Sequence, residues 1–408
     1  MTKHGGNSEA RPAALLLSPE APFPAVGGGP LRTSSLVRYL ARHCDLDLIV
    51  FREPAAPDPR AALPPGLLRH VHVIPLPVHG RQVLARAARN LGRLLRGVPP
   101  LNDRFAGFAA PVAEFLGGRR YDLAVIEHSW CAAYWEQVAP HADRVVLDLH
   151  NVESVLHRRC ARTACFPVSL VFWRFHKACL AMERRWFPRF SLLLAASSVD
   201  AQHVRDIVPG VRVEVFPNTI PPVPRPDRPV EDVIVFSGNL EYYPNVAAVR
   251  FFRRKIWPLL RERWPGLRWR LVGKNPQAVR RYVRGDPRIE LTGPVEDAIA
   301  ELAAAKVVVV PLLAGSGTRF KILEAWAAGR PVVSTTVGAE GLPARDGENI
   351  LLADTPVAFA AAVSSLLSKP GTVNPFPLFP ETTLPFATLL GKPGTDGTVP
   401  NSAGSTRC

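Results

Sequence analysis

Residues 307–341 read VVVVPLLAGSGTRFKILEAWAAGRPVVSTTVGAEG. Val307 to Val310 form a continuous apolar run, which a central parallel strand covered on both faces requires; a half-exposed strand would alternate. Pro311 closes the strand. Gly315-Ser316-Gly317-Thr318 supplies a tight turn whose backbone N–H groups can approach a ligand. The helix predicted from Arg319 to Ala328 directs its positive N-terminal end at the same place. Such a loop holds an anion, a diphosphate in particular, without a metal. Arg319 and Lys321 add side-chain positive charge beside it. Glu324, about one and a half turns into the helix, is placed to accept hydrogen bonds from sugar hydroxyls. Gly329-Arg330-Pro331 ends the helix, and Val332-Val333 starts the next strand. A lone glycine pair would carry little, but strand, loop, helix and strand in this order are specific.

The same alternation extends outward. Strands are predicted at 13–17, 48–51, 71–74, 123–126, 145–147 and 192–195, and again in VIVFSGN, LRWRLVG and IELTG, with helical stretches between them. This is the pattern of an α/β protein built from doubly wound parallel sheets, in which ligands collect at the carboxyl ends of the strands. The prolines and charges of PPVPRPDRPVED mark a linker. The division is then a flexible start (1–12), an N-terminal domain (13–220), a linker (221–231), a C-terminal domain (232–368) and a tail (369–408). Proline, glycine and threonine in that tail preclude long helices and predict disorder.

Several polar groups fall at these predicted strand ends. Gly28 and Gly29 precede a helix predicted over 31–42; Glu127 and His128 follow one strand in IEHSW; His150, Asn151 and Glu153 follow another in LDLHNVES. In the C-terminal half, Gly238 and Asn239 follow VIVFS, and Gly293, Pro294 and Val295 follow IELT. For the histidines, a structural role capping a helix or bonding a carbonyl is the competing reading.

With these motifs in place, residues 232–368 resemble the nucleotide-sugar domain of glycosyltransferase family 4, of the GT-B fold. They are nearest its bacterial polysaccharide-type members with a GSGTR(F/L)KILEA signature. The resemblance implies two Rossmann-like domains facing a cleft, and transfer of a sugar from a nucleotide-sugar donor to a saccharide or lipid-linked acceptor. It further implies retention of configuration, a front-face mechanism, and no metal or cofactor. His128 then lies over the transferred sugar, with Arg319 and Lys321 stabilising the leaving diphosphate. Gly28, Gly29, Gly238, Asn239, Gly293, Pro294, Val295, Ser316, Gly317, Thr318 and Glu324 surround the donor, the backbone at Pro294-Val295 pairing with the base. His150, Asn151 and Glu153 shape the acceptor side. In much of the family two glutamates lie eight positions apart; Glu324 matches the second, and Ser316 stands at the first. The basic pair that many members carry after the first donor-domain strand is absent from Gly238-Asn239-Leu240-Glu241. Two further readings therefore stand: a catalytically degenerate nucleotide-sugar-binding protein, and a sugar-nucleotide-converting enzyme on the same fold.

The 408 residues suffice for two domains with real cores, and the 47% hydrophobic content is that of a globular protein. A formal charge of +15 suits phosphorylated substrates, anionic lipid or nucleic acid. No helix-turn-helix, RNP or zinc-finger pattern is present, so nucleic acid is not expected as a partner. The start has no apolar segment of signal-peptide type and no stretch is long enough to span a bilayer, which predicts a cytoplasmic protein. Six cysteines without a CxxC pair predict buried free thiols. Asp45-Leu46-Asp47 precedes a predicted strand and reads as a turn, not a metal-binding DxD. Residues 81–97 and 168–190 interleave apolar and basic side chains; they read either as helices covering the sheet or as surfaces lying on an anionic membrane, peripheral to its inner face.

Overall fold

The computed structural model of the protein describes residues 11–78, 82–221, 224–369, 371 and 384–391. Two wholly parallel sheets organise them. The N-terminal sheet contains β1 (Ala13–Ser18), β2 (Asp45–Arg52), β3 (His70–Pro75), β4 (Leu123–Glu127), β5 (Val145–Leu149), β6 (Leu192–Ala195) and β7 (Val213–Val215), in the order β3-β2-β1-β4-β5-β6-β7. The C-terminal sheet contains β8 (Val233–Ser237), β9 (Arg268–Val272), β10 (Ile289–Gly293), β11 (Val307–Val310), β12 (Val332–Ser334) and β13 (Leu351–Leu352), in the order β10-β9-β8-β11-β12-β13. Each sheet reverses its winding once, between β1 and β4 and between β8 and β11. Loops diverge there and leave a crevice at the strand ends. This is the predicted two-domain doubly wound architecture.

Sequence explains why these strands are central. AALLLS, LAVIE and VVVV are apolar without alternation, and all four valines of β11 are fully buried between helical layers. The C-terminal core joins β8, β9, β11 and β12 to Trp257, Trp269, Phe252 and Phe359, while the N-terminal sheet has one core on each face. Seven helices matter below: α1 (Gly28–His43), α2 (Val83–Arg96), α3 (Pro100–Phe105), α4 (Glu153–Thr163), α5 (Val168–Trp186), α6 (Ser198–Ile207) and α7 (Phe320–Ala327). Among the described residues, no helix is long and apolar enough to cross a membrane.

Four readings change. Asp45-Leu46-Asp47 is not a turn but the first rungs of β2. Asp47 is buried and accepts from both nitrogens of the Arg69 fork, at 2.9 and 3.0 Å, and from Tyr121 Oη at 2.9 Å. A charged residue inside a strand looks like a terminator until its partner, here a residue 22 positions away, is known. The helix after β1 begins at Gly28, not Leu31, so the two glycines form its first turn, where no intrahelical N–H bond is required. Cys44, Cys131, Cys160 and Cys179 are buried free thiols as expected, but Cys165 is exposed; Cys408 lies outside the described residues.

The tail is the fourth. Residues 370, 372–383 and 392–408 lie outside the described residues, but 384–391 cross back to the N-terminal domain. Phe386–Leu390 form a short helix; Leu389 is fully buried in the core beneath α1, and Tyr39 Oη donates to the Leu384 carbonyl at 2.5 Å. Phe386 stacks on His43 with ring centres 4.8 Å apart. The segment escaped a sequence reading because five helical residues show no periodicity among prolines and threonines.

Candidate active site

The two crevices face each other. On the C-terminal side, the loops after β8, β9, β10 and β11 stack. Gly238 has φ +136°, and a Cβ there would crowd Asn245 Nδ2 at 3.0 Å and Lys321 Nζ at 3.2 Å. A Cβ on Gly273 would overlap the Gly238 carbonyl. Gly273 N donates to Gly293 O at 2.9 Å, which aligns the β9 and β10 ends; Pro294 is exposed and Val295 half-buried at that rim. Asn239 is exposed, its carbonyl oxygen accepting from Asn245 Nδ2 at 2.8 Å.

Lys321 and Glu324, in the first two turns of α7, are the charged pair of this floor. Lys321 Nζ donates to Asn245 Oδ1 at 2.8 Å and lies 4.0 Å from the centre of the Phe236 ring. Burial first, then the charge of Arg319, pushes its pKa down to about 7. Glu324 is half-buried, and its carboxylate makes no hydrogen bond among the described residues. Burial pushes its pKa up to about 7, against the pull of Lys321. A half-buried carboxylate with no protein donor keeps its acceptor capacity free.

Arg319 lies elsewhere than its charge suggested. It is 7% exposed and folds back over its own loop, where Nη1 donates to Ser316 O at 2.6 Å and also to Gly317 O. Its guanidinium therefore fixes loop carbonyls, and Lys321 is the ammonium beside the N-terminus of α7.

On the N-terminal side, four groups form a buried network. Arg32, 1% exposed, presents a fork to Asp148, with Nε–Oδ2 at 2.8 Å and Nη2–Oδ1 at 2.5 Å. Its Nη1 donates to Phe216 O and Asn218 Oδ1, both at 2.7 Å. His150 Nε2 lies 3.3 Å from Glu127 Oε1 and 3.4 Å from Asp148 Oδ2, and Thr33 Oγ1 reaches Glu127 Oε2 at 3.1 Å. Burial alone would lower the His150 pKa, but Asp148 and Glu127 outweigh it and push it to about 9. Glu127, Asp148 and His150 have ligand atoms within 4.8 Å of one another, close enough for a cation. Arg32 and protonated His150 already supply the positive charge, so the donor set does not fit a metal.

His128 sits above this network. It is 4% exposed, has φ +65°, and its ring stacks between Trp130, 3.9 Å away, and His150, 3.7 Å away. Burial, then the charges of His150 and Arg32, holds its pKa well below the usual histidine value, so the ring is neutral. Neither ring nitrogen has a partner among the described residues. A non-glycine residue in this conformation with two unpartnered buried nitrogens is a strained, unsatisfied position of the kind that clusters at functional sites. Behind Trp130 lies a cavity of about 370 Å³, walled by Phe105, Tyr134, Gln137 and Met182 among others.

The loop after β11 is stitched across the cleft. Val152 N donates to Ser316 Oγ at 3.0 Å; Ser316 Oγ and Gly317 N both reach Asp200 Oδ1, at 3.3 and 3.2 Å; Thr318 Oγ1 donates to Ala196 O at 3.2 Å. Arg159 of α4 binds Gly315 O at 2.8 Å and forks onto Glu340, with Nη2–Oε1 at 2.8 Å. In the amide orientation that satisfies its surroundings, Asn151 donates to Ser316 O at 2.7 Å. Thus His150 and Asn151 pack on the loop, whereas Glu153 is buried at the start of α4, its pKa raised to about 7 by burial. Gly28 faces the ring of Phe320, and the Glu20 carboxylate lies against Gly29, where a Cβ would have to displace it.

Among the residues with roles here that have no counterpart in the sequence reading are Glu20, Arg32, Asp148, Arg159 and Asp200. Asp200 alone had a local signal, the Ser197-x-x-Asp200 capping pattern in which Ser197 Oγ caps α6. It also accounts for Ser316: a glutamate there would face the Asp200 carboxylate. The network yields a pH prediction. His150 has its pKa raised above the unfolded value of about 6.5, so its stabilisation is complete below that pH and is lost as pH rises through about 9. The stability advantage of wild type over His150→Gln is expected to be largest near pH 6 and to shrink progressively to pH 10 in denaturant titrations.

Residues 231–369 match the family model described as Glycosyl transferases group 1. A curated relative, an uncharacterized 44.6 kDa protein in the cps region of Klebsiella pneumoniae, is 24% identical over 135 residues; the match spans 31% of this chain and 35% of the relative's length. Among solved structures, sucrose-phosphate synthase from Thermosynechococcus elongatus aligns at TM-score 0.66 and 18% identity, covering 89% of this chain and 91% of its own. Anabaena HepE in complex with UDP and glucose aligns at TM-score 0.59 and 16% identity, covering 88% and 91%. Staphylococcal (S. aureus) TarM in complex with UDP aligns at TM-score 0.60 and 10% identity, covering 88% and 94%. The overall fold is that of GT-B glycosyltransferases.

Proposed function

We propose, from a C-terminal domain that belongs to the group 1 glycosyl transferases, that the chain transfers a sugar from a nucleoside-diphosphate donor to a saccharide or lipid-linked acceptor. The observation that carries this reading is Glu324, a half-buried carboxylate without a hydrogen-bond donor among the described residues, one turn from Lys321 at the N-terminus of α7. That arrangement suits sugar or ribose hydroxyls next to a diphosphate. As the sugar–phosphate bond lengthens, negative charge grows on the diphosphate, and Lys321 with the helix N-terminus stabilises it. Arg319 acts indirectly, by holding the loop carbonyls away. Neutral His128 contacts the transferred sugar from the opposite face.

The leaving phosphate takes the acceptor proton, giving retention without an enzymic nucleophile and without a metal. The Arg32–Asp148 pair and the Glu127–His150 pair support this by compensating charge within the protein. Gly238, Asn239, Gly293, Pro294 and Val295 line the nucleoside end. The acceptor enters beside Trp130. Complexes of HepE and TarM with UDP favour a uridine donor, and the cps-region relative favours surface polysaccharide or glycolipid synthesis on the cytoplasmic side.

Calorimetric titration tests the donor site. One of UDP-, GDP- or ADP-sugars is expected to bind wild type saturably, and Glu324→Ala to weaken it by about tenfold or more, the value of one or two lost charged hydrogen bonds. Equal affinity in Glu324→Ala would remove this carboxylate from the site.

A further inference from the structure

We propose that the face formed by α2 and the beginning of α5 lies on an anionic lipid bilayer. Leu84, Leu91 and Leu95 are 84, 57 and 70% exposed, and their spacing of seven and then four places them on one face of α2. Leu170 and Trp173 are 58 and 44% exposed, and a spacing of three puts them on one face of the first turns of α5, with Phe166, 80% exposed, in the turn just before the helix. Arg174 joins the two stripes: its Nη2 donates to Leu95 O at 2.6 Å and its Nε to Leu94 O. Five large apolar side chains are therefore displayed on adjoining helices, with Phe166 in the turn that leads into α5. Water-exposed apolar area of this extent marks a surface that something covers.

Charge identifies the occupant. Residues 81–103 contain five arginines and a single acidic residue, Asp103. Arg93 and Arg96 share that one carboxylate, so the segment stays net positive. Residues 154–182 contain four arginines, one lysine and no acidic residue; Arg159 is engaged by Glu340 in the cleft, which leaves Arg158, Arg162, Arg174 and Lys177. Apolar residues interleaved with arginine match a headgroup layer, where the apolar tips enter the acyl boundary and the guanidinium groups meet phosphate. A protein partner would favour a charge-depleted centre instead. The surface belongs to the N-terminal domain, and Met182, later on α5, lines the cavity behind Trp130. The bilayer and the acceptor side therefore share one domain. The membrane assignment stands on exposure and charge, and does not depend on sugar transfer.

Sedimentation of the full chain with phosphatidylcholine vesicles, with and without phosphatidylglycerol, tests the proposal. The protein is expected to sediment with the anionic vesicles only, and less at high salt. Leu91→Glu/Leu95→Glu and Leu170→Glu/Trp173→Ala are each expected to reduce partitioning by about tenfold or more with unchanged thermal midpoints. Should a charged variant unfold, Leu84→Ser at the most exposed position reads the same surface. Failure to sediment with either vesicle overturns the proposal, as does undiminished binding by both variants. A doubled mass in light scattering that the variants restore to monomer also overturns it, assigning the face to self-association.

Discussion

Arg32→Ala is expected to destabilise the protein by about 3–5 kcal/mol, because it leaves a buried carboxylate without its charge partner. Arg32 makes four hydrogen bonds in a place that is 1% exposed, two to Asp148 and one each to Phe216 O and Asn218 Oδ1. Burial would raise the Asp148 pKa; the charges of Arg32 and His150 more than offset this and hold it low. Removing the guanidinium leaves Asp148 buried with only His150, which Glu127 also needs. The loss converts to a fall in Tm on the order of 10 °C for the N-terminal domain. Arg32→Lys retains charge but not the planar fork, so it is expected to recover part of the loss only. Thermal and urea unfolding check both. A wild-type melting curve for Arg32→Ala would show that the network does not hold the strand ends of β4 and β5.

Gly317→Ala is expected to reduce sugar transfer by about a hundredfold or more, the scale of a misplacement of about 1 Å at a reacting centre. Gly317 has φ +72°, where alanine is strained by roughly 1 kcal/mol, and a Cβ there would overlap the His150 carbonyl oxygen. That oxygen is backbone and cannot rotate away. The Gly317 N–H bond to Asp200 is then lost, and with it the seating of the loop on the N-terminal domain. Nucleotide binding is expected to weaken as well, since this loop belongs to the donor domain, but by less than turnover, which also needs the loop seated on the N-terminal domain. Parallel turnover and titration separate the two effects. Gly315→Ala is the useful comparison, since its Cβ would meet the movable end of the Arg319 side chain.

The glycine segments and strand ends were legible because parallel strands announce themselves as apolar runs and because the loop chemistry is local. The helix after β11 is predicted at 319–328 and observed at Phe320–Ala327, and β11 itself is predicted to the residue. What could not be read is what arises between distant segments. Charge alone suggests that Arg319 faces phosphate, whereas the fold turns it onto its own carbonyls. Serine at 316 looks like a missing carboxylate until Asp200, 116 residues earlier, comes within 3.3 Å. The edge strands β7 and β13 are three and two residues long, too short for a periodic signal. For α2, the structure gives the amphipathic helix that the sequence suggests, packed mainly on α3 and α5, with Leu84, Leu91 and Leu95 facing outward.

Mass spectrometry of the purified protein with its nucleotide sugar and a panel of saccharide and lipid-linked acceptors tests the central claim most directly. Glycosyl transfer predicts an acceptor product heavier by one sugar residue, stoichiometric release of nucleoside diphosphate, and strong loss of both in His128→Ala, whose donor still binds. Donor binding with no product on any acceptor, or conversion of the nucleotide sugar with no acceptor present, would contradict it and assign the fold to a binding protein or a sugar-nucleotide-converting enzyme instead.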